Sequence, residues 1–300
     1  MTPDPNRPSN AAQKASSAYR IAALDRDFLL SDTQRGLRFQ MEYEKAEEAL
    51  RAWKVNSTIV CFGSARVREN GPPHQAAWYA QAREFGRIAS QEGGAIFAGT
   101  DGERENVIAT GGGPGLMEAA NRGAYDAGAP TIGFNITLPQ EQEPNPWTTP
   151  DLTFRFHYFA MRKMHLAMRA NALVAFPGGF GTLDELFEVM TLRQTRKGRD
   201  IPIILFDEKY WRDIVNFDRS CCASGGSEPT TCGFALQTAR PRDALGSHRR
   251  IRLRTLHDQG GSEARAEPQD SSFQKDKSLC LSGKINQRAM SAPDDASAPR

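Results

Sequence analysis

The sequence predicts an α/β fold, a doubly wound and mostly parallel sheet with helices on both faces, and three observations carry that prediction. Short, largely apolar runs recur at Thr58–Phe62, Asn106–Thr110, Ala172–Phe176 and Ile201–Phe206, the pattern of strands buried on both faces. Between them lie stretches whose apolar residues repeat at helical spacing, so that strand and helix alternate over residues 57–217, which is the signature of a parallel sheet. Two of the runs end in glycine turns that lead straight into helical sequence, Gly111-Gly112-Gly113-Pro114-Gly115 and Pro177-Gly178-Gly179-Phe180-Gly181.

Taken in order, residues 1–30 are rich in Pro, Asn, Ser and Ala and read as a disordered leader. Residues 31–54 form one amphipathic helix, with Leu37, Met41, Ala46, Ala49, Leu50 and Trp53 making an apolar stripe that packs on the domain or on a partner subunit. Residues 55–218 are the domain proper. Its first strand, Thr58–Phe62, ends in Gly63-Ser64-Ala65-Arg66, and ligands of open α/β sheets collect outside such carboxyl ends, where Arg66 is placed to meet an anion. A helix follows over Gln75–Glu92, then a strand over Ala95–Ala98 and a polar, hairpin-like stretch over Thr100–Glu105. The GGGPG turn opens a helix marked by Leu116, Met117, Ala119, Ala120 and Ala124. Strands are expected at Pro130–Ile136 and Leu152–Phe156, separated by a surface loop from Pro139 to Pro150. In the helix from Tyr158 to Ala170, core spacing falls on Met161, Met164, His165 and Met168, which puts Arg162 and Lys163 on its flank. The last strand ends at Phe206, and the last helix spans Glu208–Asn216.

With 39% hydrophobic and 25% charged residues the chain is globular in composition. Its formal net charge of +2 gives no field that would recruit nucleic acid or a membrane surface. No stretch reaches the roughly 18 apolar residues of a membrane span, and the polar N-terminus lacks a signal-peptide core, so a cytoplasmic protein is expected. The five cysteines show neither disulfide-framework nor zinc spacing, Cys61 reads as a packed thiol, and His157 and His165 have no partner at ligand spacing. No metal or other cofactor is expected. A compositional break occurs at Asp218: all four Trp and all six Tyr precede it, and no Val follows Arg219. Such a segment buries too little to fold, so residues 219–300 are expected to be a disordered or frame-shifted tail.

The chemistry concentrates at the second glycine turn. Three glycines within four residues, Gly178, Gly179 and Gly181, let the backbone approach a ligand, and the helix N-terminus beyond them offers unpaired N–H groups to an anion. Thr182 is suited to cap that helix or bind the guest; Asp184 and Glu185 sit in its first turn, where a carboxylate serves either capping or chemistry. The first strand lacks G-x-G-x-x-G, and neither a P-loop nor a G-x-S-x-G elbow occurs, which argues against a classical dehydrogenase, a P-loop NTPase and a serine hydrolase.

The paired turns, with Leu116 and Met117 after the first and Thr182 and Glu185 completing PGGxGTxxE in the second, resemble the signature of the Lonely Guy (LOG) family, and Arg162-Lys163 resembles its Arg-Lys pair. The likeness spans about residues 55–217, and the long leader and helix resemble the family's larger bacterial branch. It implies a Rossmann-like phosphoribohydrolase that cleaves nucleoside 5′-monophosphates, AMP or cytokinin riboside monophosphates, to free base and ribose 5-phosphate. The apolar stripe from Leu37 to Trp53 predicts a homodimer or larger homo-oligomer, and the family's common self-association is consistent with it. Members are often labelled lysine decarboxylases, but no lysine here sits in a recognisable pyridoxal phosphate site. By resemblance Glu185 and Arg162 are the catalytic pair. The anion logic assigns Gly178, Gly179, Gly181 and Thr182 to the 5′-phosphate and Gly112 and Gly113 to the wall near ribose or base. Ser64, Lys163, Asp184 and Thr191 are further binding candidates, and Glu118 is a candidate for touching the base. The alternative is a non-catalytic nucleotide sensor or carrier on the same scaffold.

Overall fold

The computed structural model describes residues 8–96, 102–138 and 143–216, together with the backbone of 234–237. The chain opens with two short helices, α1 (Ala11–Ala15) and α2 (Arg26–Leu30), and then the long α3 (Arg35–Ala52). The core alternates as β1 (Thr58–Phe62), α4 (Pro73–Glu92), β2 (Val107–Thr110), α5 (Leu116–Asp126), β3 (Thr131–Ile136) and β4 (Thr153–Phe156). It continues with α6 (Phe159–Met168), β5 (Ala170–Ala175), α7 (Phe180–Gln194), β6 (Ile203–Phe206), α8 (Glu208–Ile214) and β7 (Phe234–Gln237).

All neighbouring strands pair in parallel, in the order β4-β3-β2-β1-β5-β6-β7. The chain therefore builds outward from β1 to β4, then returns to the other side of β1 with β5. That reversal opens a crevice between the carboxyl ends of β1 and β5. Side chains alternate between the sheet's faces: Ile59, Cys61, Ile108, Val174 and Ile204 pack with residues of α4 and α5, whereas Val60, Phe62, Ala109, Leu173 and Ile203 pack with residues of α3, α6, α7 and α8. Cys61 is fully buried, and that burial pushes its thiol pKa up, as befits an inert packed residue. The predicted doubly wound architecture is the one observed.

α4 and α5 pack closely because two glycines remove the side chains between them. A Cβ on Gly86 would lie 2.2 Å from the Ala120 carbonyl oxygen, and one on Gly123 would lie 1.9 Å from that of Arg83. On the opposite face α3 docks by its C-terminal half, through buried Ala46 and Leu50, while Leu37 and Met41 stay exposed. Glu47, read as part of the polar side, is buried and accepts from Arg169 Nη1 and Nη2 at 2.9 and 2.8 Å and from Arg51 Nε at 2.8 Å. The hydrogen bond from Arg169 is the main reason its carboxyl is held below the ordinary range.

Several elements differ from the sequence reading. Residues Ala11–Leu30 take helical turns instead of a structureless leader, because local caps hold them: Asp25 Oδ1 accepts from the Phe28 N–H, and Arg38 Nη1 reaches the Leu29 and Ser31 carbonyls at 2.8 and 2.6 Å. Ala95 and Ile96 are not in a strand, and the rest of that expected strand lies outside the described residues. On α6 the buried side is Arg162, His165 and Leu166, not a methionine stripe, and Met168 is exposed. Most of the expected tail lies outside the described residues, but Phe234–Gln237 adds β7 beside β6.

Candidate active site

A cavity of about 790 Å³ occupies the crevice at the switch point, lined from the carboxyl ends of β1, β2, β3 and β5 and from α6 and α7. Its floor is stitched at Ser64. The Ser64 N–H donates to the Pro177 carbonyl at 3.0 Å, its own carbonyl accepts from the Leu116 N–H at 3.0 Å, and the Phe176 N–H donates to Phe62 at 2.8 Å. The turns after β1 and β5 and the start of α5 are thus one hydrogen-bonded unit.

One side of the cavity is the start of α7. Gly179 is its N-terminal cap residue and no side chain caps the helix, so Thr182 does not have the capping role its position suggested. The Thr182 and Leu183 N–H groups return to the Gly179 carbonyl at 3.0 and 3.1 Å. Those of Phe180 and Gly181, without an acceptor among the described residues, are left at the cavity wall, as the first N–H groups of a helix must be unless a cap or guest takes them. The Gly178 N–H is already committed: it donates to the Tyr210 hydroxyl at 3.2 Å, and that hydroxyl donates to the Gly178 carbonyl at 2.5 Å. Tyr210 therefore fixes the turn, and Gly178 shapes the cradle more than it donates to it. Arg66 also lines the cavity, exposed, with its guanidinium in no ion pair among the described residues.

One helical turn further along α7 is Glu185, 5% exposed, whose Oε1 accepts from Nη1 of Arg162 at 2.8 Å. Arg162 is itself 8% exposed and donates through Nε to the Phe134 carbonyl at 2.8 Å. It fits only because Gly111 has no side chain, since a Cβ there would sit 2.7 Å from Nη2. Burial raises the Glu185 carboxyl above its ordinary value of 4.5, although Arg162 and Lys163 pull the other way. The result is a fixed, poorly solvated carboxylate facing the cavity, suited to accepting a proton or facing a developing positive charge.

Of the other sequence candidates, Ser64, Gly179, Gly181, Thr182 and Asp184 line this cavity. Lys163 does not; its Nζ bridges Asp184 and Glu188 at 2.8 Å each. Burial lowers the Lys163 pKa, but the hydrogen bonds to those carboxylates outweigh it and hold the group above its ordinary value. Gly112 and Gly113 lie behind the wall, their carbonyls accepting from Asn145 N–H at 2.8 Å and Asn145 Nδ2 at 3.1 Å. Glu118 and Thr191 are absent from the lining: Glu118 accepts from the Tyr79 hydroxyl at 3.3 Å, and the Thr191 hydroxyl donates to the Phe187 carbonyl at 2.7 Å. Sequence reasoning did not select Gly111, Tyr210 or Asn135 for the site. For Asn135 there was a signal, a polar side chain near the carboxyl end of a strand otherwise read as apolar.

Fold and site together define a Rossmann-like α/β protein whose switch-point crevice joins a glycine turn with an open helix start to a buried carboxylate–guanidinium pair. A cytokinin riboside 5′-monophosphate phosphoribohydrolase of Arabidopsis thaliana is 30% identical over 150 residues, covering 48% of this chain and 68% of that one. One of the same name from Rhodococcoides fascians is 26% identical over 151 residues, covering 49% and 73%. The chain belongs to the Lonely Guy (LOG) family. A family model described as "Possible lysine decarboxylase" matches residues 117–247, continuing past Phe217, where the resemblance read from the sequence ends. The X-ray structure of TM1055 aligns over 64% of this chain and 97% of its own, with 21% identity and a TM-score of 0.43.

Proposed function

We propose that the protein hydrolyses the N-glycosidic bond of nucleoside 5′-monophosphates, AMP or cytokinin riboside monophosphates, to free base and ribose 5-phosphate. The observation that carries this reading is the buried Glu185–Arg162 pair, one turn along α7 from unpaired N–H groups of the helix start. One turn advances about 5.4 Å, the order of the span from a 5′-phosphate to the sugar ring. With the phosphate on the Phe180 and Gly181 N–H groups and Arg66 beside it, the ribose lies against Glu185. As the C1′–N bond breaks, its electron pair leaves with the base and positive charge grows on the sugar, which the carboxylate faces. Water adds its oxygen to C1′ and gives its proton to Glu185, and the departing base takes up a proton in turn. Arg162 holds the carboxylate in place by a charge-assisted hydrogen bond.

The relatives' printed activity supports this reading, and no lysine is among the described residues lining the cavity. The test is incubation with a panel of nucleoside monophosphates and nucleosides, following released base by chromatography. Base release from AMP, with adenosine far poorer, is expected. Tight AMP binding without any release of base would instead make the protein a nucleotide sensor or carrier.

A further inference from the structure

We propose that Asn135 contacts the substrate and that its side-chain amide hydrogen-bonds the nucleobase; the inference rests on the nucleotide reading of the crevice. Asn135 is 7% exposed on β3 and lines the cavity, yet its Nδ2 is buried with no hydrogen-bond partner among the described residues. Other buried polar side chains at the first glycine turn and beside Phe134 are paired. Thr110 Oγ1 donates to Asn121 Oδ1 at 2.7 Å, Asn145 Nδ2 donates to the same oxygen at 3.0 Å, and Arg162 is held by Glu185 and Phe134. An unpaired buried amide is costly to keep, and an apolar residue of similar size would fill a strand position without that cost. A ligand that pairs Nδ2, once a turn about χ2 carries that atom from Gly112 to the cavity, removes the cost.

The neighbouring backbone is shaped around this side chain. Gly112, at φ +69°, leaves the space the amide occupies, since a Cβ there would lie 2.3 Å from Nδ2. Gly112, which is not among the residues lining the cavity, thus serves the ligand through Asn135. A half-turn about χ2, a soft two-fold torsion, presents either the oxygen or the nitrogen to the cavity.

Sheet order selects the part of the ligand. β3 and β5 are separated by β2 and β1, which is three strand spacings, about 14 Å. A phosphate at the start of α7, which follows β5, is therefore out of reach of Asn135, and the sugar lies between them at Glu185. The far end of a nucleotide is its base. A carboxamide matches the paired donor and acceptor on the edge of adenine, whose 6-amino group is replaced by a carbonyl in hypoxanthine. A second cavity of about 460 Å³ shares Asn135, Ile136 and Leu138 with the first, leaving room beside the base.

The experiment compares the parent with Asn135→Leu, and with Asn135→Ala in case the larger side chain disturbs folding; thermal unfolding confirms that each is native. For AMP a fall in kcat/KM of about 10- to 100-fold is expected, with loss of the preference for AMP over IMP. Calorimetric affinity for ribose 5-phosphate, which has no base, should stay at the parental value. Unchanged AMP kinetics with an unchanged AMP-to-IMP ratio would overturn the proposal, and so would an equal loss of ribose 5-phosphate affinity. If the parent releases no base at all, the hydrolase reading fails, and the same variants are then judged by calorimetric affinity for AMP, IMP and ribose 5-phosphate, where the same contrasts decide.

Discussion

Arg162→Ala removes one member of a buried ion pair, and the structure sets both the size and the pH dependence of the consequence. Both side chains are nearly inaccessible, with Arg162 8% and Glu185 5% exposed, and the 2.8 Å contact between them is direct. Stripping one partner from such a pair typically costs about 3–5 kcal/mol, because the charge left behind is buried and uncompensated. At about 2–4 °C per kcal/mol for a domain of about 150–250 residues, Tm should fall by roughly 6–20 °C at neutral pH. Burial already raises the Glu185 carboxyl above its ordinary value of 4.5, and without Arg162 it rises further. A group with a raised folded-state pKa stabilises the fold fully below its unfolded value and loses that contribution as pH climbs through the folded one. The deficit of the variant should therefore be small near pH 4.5 and widen toward neutrality. Thermal unfolding followed by circular dichroism at about pH 5 and about pH 8 measures it directly. Adding Glu185→Gln removes the stranded charge, so the double variant should recover stability at the higher pH and little at the lower. A deficit equal at both values, or no recovery in the double variant, would refute the reasoning.

Gly111→Ala places a Cβ 2.7 Å from Arg162 Nη2 and 3.0 Å from Met117 Sδ; displacing the guanidinium by an ångström should lower kcat roughly 100-fold, with KM little changed in steady-state assays. Arg66→Ala removes the exposed cation on the cavity wall, and loss of a hydrogen bond to a charged group should cut the preference for AMP over adenosine by about tenfold or more; an unchanged ratio would remove Arg66 from the phosphate site. His165, 1% exposed and stacked between Tyr43 and Phe134, has its pKa lowered by burial from 6.5. The unfolded chain binds this proton first, so stability should fall as pH drops below 6.5 toward the lowered folded value, and His165→Phe should lose that share of the dependence in unfolding titrations.

The fold was legible because its signal is local. Val60 and Cys61 of β1 face opposite sides of the sheet and are both buried, so an uninterrupted apolar run was the right reading, and both glycine turns stand where strand gives way to helix. What stayed hidden depends on partners distant in sequence. Glu47 and Arg162 look like surface residues until Arg169 and Glu185 are brought to them, which is why apolar spacing misjudged the buried side of α6. Only the resemblance to a known family singled out Arg162. Asp184 and Thr182 sit where a cap would sit, yet Asp184 turns to Lys163, and the helix start stays open. The sequence did not show what Tyr210 does, since its role comes from α8 folding back onto Gly178.

The most direct test of the account is Glu185→Gln assayed for both turnover and binding of AMP. The substitution keeps size and an oxygen for Arg162 but removes the charge, so base release should fall by about 100-fold or more, the scale of general acid–base contributions. AMP affinity, supplied by the start of α7 and the far wall of the crevice, should be retained. A variant that releases base at the parental rate would contradict the assignment of Glu185 as the carboxylate that does the chemistry.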